Sequence, residues 1–207
     1  MPPLDLLMPF ILASALLSIA PGPDNLFVLT QSALYGRRTG ILITMGLCSG
    51  LVVHTIAVAL GVAVIFQTSE LAFNTLKYLG ACYLIYLAWM SFKASAQNLD
   101  APSPKLISAS QLYGRGVIMN ITNPKVSIFF LAFLPQFASV DVGPLAPQIF
   151  VLGALFMAVS FLIFSGIAVL AGSLGDWLQN SPKSQIYLNR LAGIVFIGLA
   201  ANLLLLS

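Results

Sequence analysis

Asp24, His54 and Lys125 are ionisable side chains set inside long apolar runs. Asp24 follows Pro21-Gly22-Pro23 and precedes Asn25, while Lys125 follows Asn123-Pro124. A carboxylate and an ammonium in apolar surroundings can hold the two ends of a zwitterion, pair with each other, or exchange a proton. Low local polarity strengthens each of these interactions. The flanking motifs matter as much as the charges. Proline lacks a backbone donor and clashes with the preceding turn, so both motifs should interrupt a helix. Asn123 is a good N-cap and Pro124 suits a first helical position; Gly22 and Pro23 can open a helix in the same way. Each restarted half-helix would aim its unpaired amides and positive end at the break.

The remaining chemistry is thinner. His54 is the sole histidine and has two readings, a hydrogen bond to a neighbouring helix or a part in proton coupling or substrate contact. Cys48 and Cys82 lie in apolar stretches without Cys-x-x-Cys spacing, and read as small residues filling a helix. A membrane-embedded enzyme would need an intramembrane nucleophile, a carboxylate pair or a metal cluster. A metal or cation exporter would need several carboxylates, sulfurs or imidazoles at depth. With one Asp and an opposing Lys at depth, the chain fits neither well, so no catalytic residue, metal or cofactor is expected. A passive channel lacks a ring of like polar residues.

The elements that must position these side chains follow from composition. Of 207 residues, 59% are hydrophobic and 7% charged. About 25% charge is usual for a soluble surface, so the outside of this chain must meet lipid. Nine Lys+Arg against six Asp+Glu give a net charge of +3, and the placement of the charges is more informative than their sum. No nucleic-acid partner is expected. The first apolar run is much longer than a signal peptide's core and reads as a mature span. Runs of about 20 apolar residues occur at Leu6–Leu34, Ile41–Phe66, Leu71–Phe92, Leu112–Leu134, Leu145–Ala171 and Ile186–Leu206, predicting an all-α polytopic membrane protein of six transmembrane helices.

Basic residues favour the cytoplasmic side. Arg37, Arg38, Lys93, Lys105, Arg115, Lys183 and Arg190 all fall by the first, third and fifth connections. Both termini are therefore expected outside. Lys77 and Lys125 are the exceptions, and Lys77 is close enough to the outer surface for its stem to snorkel. Aligning Pro23 with Pro124 sets Asp24 against Lys125 and divides a single membrane domain, 1–207, into two three-helix repeats. These cover about 6–93 and 112–207, joined by a polar cytoplasmic linker at about 94–111. Three spans per repeat invert the second half relative to the first. Inverted repeats whose first and fourth helices break at matching positions point to a midplane transport site. Asp24 lies about ten residues, or ~15 Å, from the cytoplasmic end of its span. Gly46 and Gly50, four apart, mark a close-packing face, inside the protomer or across a homodimer.

At Ala20-Pro21-Gly22-Pro23-Asp24-Asn25, Gly36-Arg37-Arg38-Thr39-Gly40, Asn123-Pro124-Lys125, Phe129-Phe130 and Phe133-Leu134-Pro135-Gln136-Phe137, the chain resembles the lysine exporter / homoserine-threonine resistance (LysE/RhtB) family of bacterial amino-acid exporters. The resemblance implies export of amino acids or related metabolites across the inner membrane, driven by the proton-motive force. Asp after Pro-Gly-Pro and Lys after Asn-Pro resemble the homoserine/threonine branch. A fixed Lys125 would also repel a cationic side chain, which favours neutral amino acids. The expected antiport site comprises Asp24 and Lys125 with Gly22, Pro23, Asn25, Asn123, Pro124 and His54. In this scheme cargo displaces an Asp24–Lys125 interaction, the halves rock, and a proton from outside resets Asp24.

Overall fold

The computed structural model describes residues 1–68, 70–94, 108–171 and 182–205. Its described residues form helices α1 (Leu4–Ile19), α2 (Pro23–Tyr35), α3 (Arg37–Thr68), α4 (Glu70–Lys93), α5 (Ala109–Thr122), α6 (Pro124–Ile128), α7 (Leu145–Val169) and α8 (Pro182–Leu205). The fold is that of an all-α polytopic membrane protein. Helices α3, α7 and α8 are each long and apolar enough to span a bilayer. The pairs α1–α2 and α5–α6 pass the same test as bent units, with bends of 58° and 50°. Helix α4 has 24 residues, about 36 Å at 1.5 Å per residue. Lys77 and its tyrosines leave it less apolar than the other five.

Both breaks fall at the predicted motifs. Helix α1 ends at Ile19, and α2 restarts with Gly22 as N-cap and Pro23 in the first turn. Asn123 ends α5 and caps α6, its side chain accepting from the Lys125 amide at 3.0 Å. Beyond Ile128 the expected continuous half-helix gives way to a π-helical turn at Phe129–Phe133 and a 3-10 turn at Leu134–Phe137. The start of α5 also differs from the predicted span. Ser108 and Gln111 form a capping box, so residues 109–111 are helical. Most of the polar linker lies outside the described residues.

Packing in lipid relies on close approach of small residues because lipid itself is apolar. Helix α3 packs on α5 and α7, α4 on α8, and α1 on α7. The face bearing Gly46 and Gly50 meets α5 inside the protomer. A Cβ at Gly46 would strike the Tyr113 carbonyl and come within 3.1 Å of the Gly116 Cα, and one at Gly50 would come within 2.7 Å of the Asn120 side chain. That assignment removes the glycine pair as an argument for a homodimer. Gly46→Val should therefore lower stability by at least about 1–3 kcal/mol, the usual range for overpacking, read as an earlier thermal transition in detergent. Gly114→Ala is the control, because nothing lies within 4 Å of its would-be Cβ. Its transition should stay level or rise.

On one side of the breaks the core is aromatic. Phe10, Phe129, Phe130, Phe133, Phe137 and Phe156 are buried, and several ring pairs stand about 5 Å apart, including Phe10–Phe137 at 5.1 Å and Phe129–Phe156 at 5.0 Å. Gln148, 1% exposed, secures the adjoining turn by donating to the carbonyls of Ser139, Gly143 and Pro144.

Candidate functional site

The bends bring the two motifs together. Asp24 occupies the first turn of α2, where a carboxylate suits the positive helix end. It is 2% exposed, and its Oδ2 accepts from Asn123 Nδ2 at 2.8 Å across the break. Lys125, 7% exposed, reaches the other way. Its Nζ donates to the carbonyls of Leu17 at 3.2 Å and Ala20 at 3.0 Å. The ammonium thus neutralises the negative C-terminal end of α1 and offsets its unfavourable position at the start of α6. A direct Asp24–Lys125 ion pair was one expectation, but none of salt-bridge length is found among the described residues. The two groups are linked through Asn123, which joins the Asp24 carboxylate to the Lys125 backbone.

A cavity of about 720 Å³ opens at this junction, and its wall includes Gly22, Pro23, Asn25, Asn123, Pro124 and Lys125. It extends along the first half of α2 and α8 and the second half of α4 and α7, with Tyr83, Ser91, Gln185 and Asn189 as further polar lining. A Cβ at Gly22 would lie 3.1 Å from Lys125 Nζ, so the lysine end would have to shift by a few tenths of an ångström to admit one. Asp24 does not line this cavity. It faces a separate void of about 10 Å³ bordered by Ser18, Asn120, Lys125 and Ser160. The expected single site holding both charges is therefore two compartments, with Lys125 on the wall of each.

His54 stands apart from both. Its Nε2 is 3.2 Å from the Asn120 carbonyl, and its ring packs on Phe130 with centroids 5.6 Å apart. Lys77, read as an interfacial snorkel, is 4% exposed and packed within the bundle. Two kinds of residue escaped the sequence reading. Asn120, three before Asn123 in the same apolar run, was a visible polar signal. Ser18 and Ser160, hydroxyls 2.9 Å apart, carry no pattern that separates them from other small helical residues.

Residues 15–207 match the LysE type translocator family. The chain belongs to that family. Its relatives include a homoserine/homoserine lactone efflux protein of Salmonella typhimurium, 33% identical over 194 residues covering 94% of this chain and 93% of the relative. An uncharacterized membrane protein of Bacillus subtilis, YrhP, is 30% identical over 201 residues, covering 93% and 95%. No solved structure matches the chain. Membership makes the protein a multi-pass membrane translocator and not an enzyme. Because His54 bonds a helix carbonyl and borders neither compartment, His54→Gln should keep transport within about threefold. Its measured cost should be stability, about 1 kcal/mol for one hydrogen bond.

Proposed function

We propose that this translocator exports neutral amino acids or related metabolites across a bacterial inner membrane in exchange for protons. The observation that carries this reading is the cavity of about 720 Å³ whose wall includes Lys125 together with Gly22 and Pro23 at the start of α2 and Asn123 and Pro124 at the start of α6. A fixed cation and two positive helix ends attract a carboxylate or a polarised carbonyl. No carboxylate lines the described wall, so a cationic side chain finds no counter-charge while an uncharged one meets mixed polar and apolar surface. Homoserine and its lactone, named for the Salmonella relative, are uncharged in the side chain and carry a carbonyl oxygen. The same cation on the wall argues against a metal-ion exporter.

Orientation supports the outward direction. The cavity extends toward the helix ends that carry Arg37, Lys93 and Lys183, which the positive-inside rule assigns to the cytoplasm. The opposite side is filled by the phenylalanine cluster. This is an inward-open arrangement with both termini outside. The contact pattern, in which α1 packs on α7 as α5 packs on α3, supports two inverted repeats, about 6–93 and 112–207, rocking about the breaks within one membrane domain. The coupling proton is assigned to Asp24.

The test compares amino-acid retention in cells with and without the protein. Producing cells should hold several-fold less of one or more neutral amino acids and resist their toxic analogues. Equal retention of every neutral amino acid at matched, verified membrane levels of the protein would end the reading.

A further inference from the structure

The void beside Asp24 has an unusual balance of polar groups. Asp24 Oδ1 and Asn120 Oδ1 are both buried acceptors without a hydrogen-bond donor, and both residues are 2% exposed. An unsatisfied buried acceptor is destabilising, and two beside one void call for a shared donor. The void measures about 10 Å³, roughly one water-sized probe sphere, the minimum that holds a single water. Ser18 and Ser160, 4% and 1% exposed, add hydroxyls at its edge. A water here can donate one hydrogen to each orphan oxygen. A metal cation would face the Lys125 ammonium on the same wall, whereas a proton needs only the carboxylate.

We propose that this chamber is a proton site distinct from the cargo site: one water held by Asp24 and Asn120, with Asn123 transmitting its state to the cavity. The inference rests on the proton-coupled export reading and deepens it. The chamber is lined from α1, α2, α3, α5, α6 and α7, and among those lining residues Lys125 is the other titratable group. His54 stands behind it on the Asn120 carbonyl. Protonating Asp24 turns the water around and weakens the charge-assisted bond from Asn123 Nδ2 to Oδ2. Asn123 also lines the cargo cavity and caps α6, so a change at the carboxylate reaches the α6 end without cargo touching Asp24. The missing side chain of Gly50 leaves room for the Asn120 amide, since a Cβ there would come within 2.7 Å of it.

The experiment follows the protonated-carboxyl infrared band of Asp24 during pH titration of the full-length protein in lipid, the band being identified by its loss in Asp24→Asn. Homoserine serves as the cargo probe. Asn120→Leu, which replaces the water's second anchor with hydrocarbon, should shift the band and move its titration midpoint by about one pH unit, the size of one charge-assisted hydrogen bond. Ser160→Ala tests the same chamber with minimal change in volume, should Asn120→Leu not fold, and should shift the band in the same sense. In the wild type, homoserine should move the midpoint; in Asn123→Ala it should not, at homoserine concentrations shown by direct measurement to saturate that variant. An unshifted band in a folded chamber variant, or a homoserine-induced shift that survives in Asn123→Ala, overturns the proposal. The chamber variants are read without cargo, so failure of homoserine to bind or be transported by the wild type counts against the export reading and not against the chamber.

Discussion

Replacing Lys125 with methionine is expected to reduce efflux of preloaded homoserine from vesicles by at least about 100-fold, the effect of losing one or two charge-assisted hydrogen bonds. The side chain has three donors. Two go to the Leu17 and Ala20 carbonyls, and the ammonium also forms part of the cavity wall, leaving its third proton for cargo. Methionine retains most of the stem but none of the charge. The two carbonyls of α1 also lose their donor, which costs stability, so the variant has to be compared at matched levels of folded protein. Lys125→Arg should not rescue transport. A planar guanidinium presents its donors in a fixed fork and cannot reproduce the compact ammonium's paired bonds to the Leu17 and Ala20 carbonyls. Lys77→Met supplies the control, because Lys77 is equally buried in the bundle but absent from the cavity wall. Its efflux should stay within about threefold of wild type, with stability the quantity that moves. Loss of transport in Lys77→Met equal to that in Lys125→Met would mean that any intramembrane cation is required, and the specific role of Lys125 would fall.

The contrast between these lysines shows where sequence reasoning reached and where it stopped. Helix breaks are local events, governed by proline's missing donor and by the capping chemistry of Asn123, so their positions were legible residue by residue. Facing was not. Asp24 and Asn25 are successive residues, about 100° apart around α2, and that rotation sends Asn25 to the large cavity and Asp24 to the small void. No pattern in an almost uniformly apolar helix tells which face will meet a cavity. The same limit hid the partner of Gly46 and Gly50, since a small-residue face fits a helix of its own chain or of another copy equally well. The π-turn at Phe129–Phe133 depends on how five consecutive apolar side chains pack against α3, α4 and the rings of Phe10 and Phe156, which their order does not state. By contrast, the Ser108–Gln111 capping box is legible in the sequence as Ser-x-x-Gln, a signal that hydropathy does not register because its residues are polar.

Asp24→Asn is expected to abolish acceleration of efflux by external acid, a loss of more than about tenfold in the pH-driven component, since general proton-transfer roles of one side chain are worth at least that much. The sign follows from the antiport scheme. In right-side-out vesicles loaded with homoserine, lowering the external pH supplies the proton that exchanges for outgoing cargo, so wild-type efflux quickens. An amide at position 24 has nearly the shape of the carboxylate and can still accept from Asn123 Nδ2, yet it cannot take up a proton. Efflux should then run at one slow rate whatever the external pH. Asp24→Leu makes a useful comparison because it fails for another reason. It strips Asn123 Nδ2 of its acceptor, leaving a buried donor unpaired at a cost of about 1–3 kcal/mol, and so destabilises the α2–α6 junction itself. The two variants should differ in thermal transition while sharing the lost response to acid. Asp24→Asn efflux that still quickens with external acid would place the coupling proton elsewhere, and the separation of Asp24 from the cargo cavity would then reflect packing alone.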